Sequence, residues 1–329
     1  MVEFAGRTGR DRYFDLLRTA AIVRVVAYHM FPAAWLSFAF PAMGVMFGLG
    51  GSLMAASLDR SDGAPDRVVA GRLRRLLPAV WAFGAIMVPA MLWHGWPDRP
   101  QWSELLLWLL PLAEPPGTEW ALPATEVLWY LVTYLWLVLL SPVLLWAYRR
   151  WPLRTAVLPL VVLVVVAGRG DVLTDLATYA TCWIVGFAHR DGALRRLPLP
   201  WLVTLAAACL AGGAGWALAY GLDAPLAIAL YSLGFVLPLL RAAPPMGWLA
   251  RARPLDRLVS LVNARAVTIY LWHNPAIAAC FVVGDALHAW LLGDVGYLLV
   301  ALGLTVGAVS ALGWVESLAS KVRRVPGSM

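Results

Sequence analysis

The chain reads as an all-α integral membrane protein, a bundle of about ten transmembrane helices with the N-terminus and C-terminus both cytosolic. Three observations predict this. Hydrophobic residues fill 61% of the 329 positions and charged residues only 14%, where a soluble domain carries nearer a quarter. The apolar residues gather into runs of roughly the 17 to 25 residues that cross a bilayer as helix. The basic residues fall on alternate connections, as the positive-inside rule requires. A single domain over 1–329 is expected, with no appended soluble domain.

Ten apolar stretches are expected to span: 15–35, 38–58, 76–93, 124–146, 154–168, 173–189, 200–219, 224–241, 265–283 and 294–317. The stretch Ser103–Leu112 is too short to cross and is expected as an interfacial or re-entrant piece. With the N-terminus inside, the cytosolic side receives Arg7, Arg10 and Arg12, then Arg60, Arg67, Arg72, Arg74 and Arg75. Arg149, Arg150, Arg154, Arg190, Arg195 and Arg196 follow, then Arg241, Arg251, Arg253, Arg257, Arg265, Lys321, Arg323 and Arg324. That is 22 basic residues on one side against Arg99 and Arg169 on the other, with Arg18 and Arg24 inside the first span. The inverted orientation would reverse this bias.

Composition also excludes several classes. The net charge of +7 is spread over separate cytosolic segments, as topology demands, and is not gathered into a stripe for nucleic acid. Cys182, Cys209 and Cys280 all lie in apolar stretches and read as small buried hydrophobes. No Cys/His metal cluster, phosphate-loop motif or tandem repeat is present, and the polar, basic start through Arg12 does not resemble a cleavable signal.

Chemistry begins in the first helix. Arg18 and His29 are eleven residues apart, which is roughly three full turns, so both project from one face about 16 Å apart along the axis. Ionisable groups are costly in a bilayer and mark functional paths through the protein interior. An imidazole with a cation three turns nearer the cytosol suits proton abstraction beside an anionic, cytosol-derived ligand. Position alone leaves a second reading equally open, a histidine hydrogen-bonded between helices. Arg24 lies about 120° from the shared face and is expected to pair with a carboxylate of a neighbouring helix.

Other segments carry a resemblance. Asp15-Leu-Leu-Arg18 with His29, the glycine-rich stretch from Phe40 to Ser52, and Arg72-Leu-Arg-Arg75-Leu-Leu-Pro78 occur in order along the chain. Leu128-Trp-Tyr130 and Tyr270-Leu-Trp-His-Asn-Pro275 follow. Together they resemble the membrane-bound acyltransferase-3 family over essentially the whole chain. The second helix departs from the family's usual Phe-Phe…Ser-Gly pattern, with Gly50, Gly51 and Ser52 in its place.

The resemblance implies a bacterial plasma-membrane enzyme that takes an acyl group, most simply acetyl, from cytosolic acyl-coenzyme A. The acceptor would be a glycan, glycolipid or small secondary metabolite, and a cell-envelope O-acetylation is the simplest case. His29 then acts as general base, since imidazole, with an ordinary pKa of about 6.5, accepts a proton at neutral pH; an acyl-histidine intermediate is the other chemistry open to it. Arg18, Arg72 and Arg75 would hold the donor phosphates through forked, charge-assisted hydrogen bonds. For Arg72 and Arg75, anchoring to anionic lipid headgroups is the alternative. Arg74 reads as topology only.

Glu126 and His273 complete the candidate catalytic set. Glu126 enters the fourth span from the outer side, where it orients the imidazole or acceptor, or else serves as a cap. His273 and Asn274 can satisfy carbonyls freed by Pro275, which has no N–H to give the helix. Asp15 is a helix-start residue or a partner for Arg18. His94, His189 and His288 are expected to face water, and Trp93, Trp96, Trp102 and Trp120 to form an outer interfacial belt. The competing class is a transporter of a lipid-linked sugar or anion, against which stands the absence of two similar halves.

Overall fold

The computed structural model describes residues 11–31, 33–97, 99–166 and 171–321, and every regular element among them is helical. The helices of eight residues or more are α1 (Arg12–Met30), α2 (Ala42–Asp59), α3 (Pro65–His94), α4 (Leu128–Arg150), α5 (Pro152–Val166) and α6 (Val172–Arg190). They continue as α7 (Leu199–Tyr220), α8 (Pro225–Arg241), α9 (Arg253–Ala264), α10 (Ala266–Ala286), α11 (Asp294–Leu312) and α12 (Trp314–Lys321). All but α9 and α12 coincide with the ten apolar stretches. Of the charges that orient the chain, Arg7, Arg10, Arg169, Arg323, Arg324 and the Lys321 side chain lie outside the described residues.

Six helices, α2, α3, α4, α7, α10 and α11, are long and apolar enough to cross a membrane by length and composition. The other four fall short for different reasons. α5 and α8 have only 15 and 17 residues. α1 is long enough but carries Asp15, Arg18 and Arg24 along its length, and α6 carries Thr174, Asp175, Thr178 and Thr181. The polarity that sets α1 apart by composition includes Arg18, one of the candidate site residues.

The centre of the bundle is the crossing of α2 on α6. A Cβ on Gly51 would overlap the backbone carbonyl of Trp183, and one on Gly186 would overlap that of Gly48. Small residues let two helix backbones touch in this way. Beside the crossing, the fully buried Trp183 indole donates to Ser141 Oγ at 3.0 Å, so its polar edge is satisfied inside an apolar core. Ser52 Oγ lies 2.8 Å from His189 Nδ1 across the same crossing. His189 is therefore a partner within the helix pair instead of a water-facing terminus.

Burial separates axis from rim. The spans of α2 and α4 are 61% and 56% buried, those of α7 and α11 only 17% and 11%. α7 and α11 thus present apolar side chains such as Leu218 and Val306 outward, as lipid requires.

One end of the bundle is tied by ion pairs. Arg149 reaches Asp59 at 2.8 Å and Asp191 at 2.7 Å, and Arg190 reaches Asp59 at 3.0 Å. The ends of α2, α4 and α6 therefore meet. Arg12 pairs with Asp15 and with Asp256, linking α1 to α9. α12 folds back onto α3, and Glu316 accepts from the Thr268 backbone N–H at 2.6 Å, capping the start of α10.

The segment expected not to cross forms a short helix, Trp102–Leu105, and a 3-10 turn, Leu106–Trp108. Trp108 is buried against Phe83 and Gly84 of α3. Trp93, Trp102 and Trp120 are exposed as a belt requires, but Trp96 is buried and belongs to the core cluster. His94 stacks on Trp120 with ring centroids 4.0 Å apart.

Candidate active site

α1 brings the first two candidates. Asp11 caps the helix by accepting from the N–H groups of Tyr13 and Phe14, which satisfies donors that a helix start leaves unpaired. Arg18 then falls in the second turn and His29 in the last. The Arg18 guanidinium donates to Asn263 Oδ1 of α9 at 3.2 Å. The Asn263 amide donates in turn toward the Asp15 carbonyl at 2.8 Å, Thr19 Oγ1 at 2.9 Å and the Val259 carbonyl at 2.8 Å. An amide nitrogen so placed fixes the flip of the group and forces Oδ1 toward Arg18.

α10 brings the third. His273 is fully buried, and its ring meets that of His29 edge-on with centroids 5.1 Å apart. Its Nδ1 lies 2.6 Å from the Tyr270 carbonyl. A carbonyl can only accept, so Nδ1 carries the proton and Nε2 keeps its lone pair. That Nε2 is buried and has no hydrogen-bond partner among the described residues. The next residue, Asn274, donates to Glu126 Oε1 at 2.7 Å and to the Pro123 carbonyl at 2.7 Å, while Tyr270 Oη, one turn earlier, donates to the Val127 carbonyl at 2.7 Å. Glu126 lies in the turn just before α4, between the short helix Leu122–Thr125 and Leu128, and α10 holds this turn in place.

Three cavities run in series from the arginine-rich end toward the histidines. The outermost, about 550 Å³, is lined by Arg60, Arg67, Arg72, Arg74 and Arg75 with Ser57, Ser61 and Asp62. The second, about 240 Å³, is lined by Arg18, Arg72, Arg75, Asn263, Tyr130, Tyr134 and Tyr270, and no carboxylate among the described residues borders it. Arg72 and Arg75 belong to both walls. A third cavity of about 10 Å³ shares Met46 and Tyr270 with the second and is bordered by Val25, Val26 and His273. Arg72 is steered by hydrogen bonds to the Leu53 carbonyl at 3.0 Å and Ser57 Oγ at 3.2 Å.

The six residues singled out from the sequence fall into two groups along this line. Arg18, Arg72 and Arg75 border one cavity; His29, His273 and, through Asn274, Glu126 lie beyond its far end. Residues 11–314 match the family model for an acyltransferase domain, acyltransferase-3. The chain belongs to the acyltransferase-3 family. It is a membrane acyltransferase, a transferase of groups other than aminoacyl groups, and the transport alternative falls away. No curated protein and no solved structure matches it.

Several sequence expectations change on contact with this acyltransferase's geometry. Among the described residues Arg24 meets no carboxylate: its Nε donates to the Leu36 carbonyl at 3.1 Å and its guanidinium sits over the Tyr28 ring at 4.9 Å. A backbone carbonyl and an aromatic face satisfy a cation at lower desolvation cost than a buried ion pair. Arg74 borders the outer cavity as well as contributing to the charge bias. Asp15 sits in the first turn of α1 and pairs with Arg12.

Asn263, Tyr130 and Tyr134 were not singled out as site residues. Asn263 lies on a short amphipathic helix where a polar residue is ordinary, so nothing local distinguishes it. The tyrosines are part of an aromatic run in α4 whose facing partners only the packing reveals.

Proposed function

We propose that this acyltransferase moves an acyl group, most simply acetyl, from cytosolic acyl-coenzyme A to a hydroxyl or amine of an acceptor at or beyond the outer leaflet. The membrane is a bacterial plasma membrane, crossed ten times with both termini inside. The acceptor class is a glycan, a glycolipid or a small metabolite. One observation carries the reading: cavities bordered by Arg72 and Arg75, then by Arg18, then by Tyr270 and His273 succeed one another, and among the described residues no carboxylate borders the middle one. A phosphate-bearing donor enters such a path by its charged end and sends a flexible thioester arm inward. The charge bias puts the arginine end in the cytosol.

The chemistry follows from proton bookkeeping at His29. The acceptor O–H or N–H gives its proton to the His29 imidazole as its heteroatom bonds to the thioester carbonyl carbon. The tetrahedral oxyanion then collapses, the C–S bond breaks, and the thiolate leaves to take the proton back from the imidazolium. The His273 ring, edge-on to His29 with centroids 5.1 Å apart, sets a second imidazole beside the imidazolium as it forms. Glu126, held by Asn274, orients the acceptor side. Arg18, Arg72 and Arg75 bind donor and take no part in proton transfer.

The test compares wild type with His29→Ala in detergent, measuring binding and slow hydrolysis of radiolabelled acetyl-coenzyme A. Binding should persist in both, with turnover lost only in the variant, on the order of the 10²–10⁴-fold that a general base contributes. Well-folded wild type that fails to bind would remove acyl-coenzyme A as donor. Equal hydrolysis by both would remove His29 as base.

A further inference from the structure

The outermost cavity holds more positive charge than a thioester arm or a diphosphate requires. Five guanidinium groups against the single carboxylate of Asp62 leave four net positive charges around about 550 Å³, a volume within the range of small-molecule sites. At this end of the bundle three arginines are held in ion pairs. Arg12 meets Asp15 and Asp256, and Arg149 and Arg190 share Asp59. By contrast Arg60, Arg67 and Arg74 are exposed, and among the described residues no ion pair engages them.

Like charges gathered around one concavity repel, and the field they focus draws in a polyanion. The start of α3 at Pro65 adds the partial positive charge of a helix N-terminus to the same wall. The arrangement is also ordered. Arg72 and Arg75 face the inner cavity as well as the outer one, whereas Arg60, Arg67 and Arg74 face only the outer.

Coenzyme A has a matching order. Its diphosphate adjoins the pantetheine arm, and its ribose 3′-phosphate is the phosphate farthest from the thioester. A phosphate monoester carries about −1.5 to −2 charges near pH 7, the group best suited to several guanidinium forks. Resting on the donor reading above, we propose that Arg60, Arg67 and Arg74 bind the 3′-phosphate of acyl-coenzyme A. The enzyme thereby selects coenzyme A thioesters over donors that lack this phosphate, dephospho-coenzyme A thioesters and phosphopantetheine carriers among them. Anionic lipid headgroups offer the same phosphate chemistry, and the experiment separates the two sources.

The experiment measures equilibrium binding of acetyl-coenzyme A and acetyl-dephospho-coenzyme A to the full chain in nanodiscs of zwitterionic lipid. Wild type should prefer the 3′-phosphorylated donor by about tenfold or more, the worth of one charge-assisted contact. Adenosine 3′,5′-bisphosphate should compete. Arg67→Gln, and Arg60→Gln with Arg74→Gln, should lower affinity for acetyl-coenzyme A and leave that for the dephospho form unchanged. Arg195→Gln, which removes a charge outside the cavity, should alter neither; its matching the cavity variants would overturn the assignment. Binding of both donors equally by wild type would overturn this inference and leave the donor reading intact. Failure to bind either donor would overturn both. Preference abolished in wild type by anionic lipid in the nanodisc would reassign the cavity to headgroups.

Discussion

Asn263 offers the sharpest separation between binding and chemistry. Its Oδ1 is the acceptor that holds Arg18 at 3.2 Å, and its amide nitrogen is locked by three acceptors at 2.8 to 2.9 Å. Asn263→Ala removes the tether and leaves the guanidinium in place. The α-helical carbonyls of Asp15 and Val259 keep their intrahelical partners, so the fold should lose only about 1–3 kcal/mol. Arg18 becomes free to sample rotamers and must be ordered again when the donor binds, a cost of about 0.5–1.5 kcal/mol for a long side chain. Donor affinity should therefore weaken about two- to twelvefold. The single-turnover rate of saturated enzyme should hold, because His29 is three turns away on α1. The assay is direct binding of radiolabelled acetyl-coenzyme A to wild type, Asn263→Ala, Arg18→Ala and the double variant. If Asn263 acts through Arg18, the double variant binds no more weakly than Arg18→Ala alone. Additive losses would refute the tether, and unchanged affinity in Asn263→Ala would refute any role for it at the donor site.

Two further predictions follow from the packing. Asn274→Ala should reduce turnover by roughly tenfold, the worth of one hydrogen bond to a charged partner such as Glu126, with donor affinity unchanged; parallel binding and turnover measurements check it. Gly51→Ala and Gly186→Ala each set a methyl against a backbone carbonyl that no rotamer change can move, so thermal unfolding should show a loss of about 1–3 kcal/mol. Gly303→Ala, in open space on α11, is the control and should hold or gain stability by up to about 1 kcal/mol.

Much of the fold is legible in the order of residues because a bilayer imposes a simple code. Length and apolarity mark the helices, and the ten stretches coincide with ten of the twelve helices of eight residues or more. The reading is least complete where a helix trades apolarity for charge. α1 holds Asp15, Arg18 and Arg24 and is more densely charged than α2, α3 and α4, whose length and apolarity suit a membrane crossing. Single-residue environments are legible only where periodicity speaks for them. Trp96 and His189 look like boundary residues in the sequence, but one is buried and the other bonds Ser52, since tertiary neighbours and not flanking residues decide whether a helix end meets water.

What the sequence determined by itself was the membrane class, the helix positions, the family motifs and the shared face of Arg18 and His29, all of which depend on local spacing. Only the tertiary structure decided which side chains converge. Arg18 and Asn263 are 245 residues apart, and Asn274 and Glu126 are 148 apart; no local periodicity links positions so distant. The His273 tautomer also waits on the fold, because Nδ1–H donates to the Tyr270 carbonyl only once α10 has formed. The close crossing of α2 on α6 is tertiary too, because Gly51 and Gly186 touch backbone whose neighbours in space are not their neighbours in sequence.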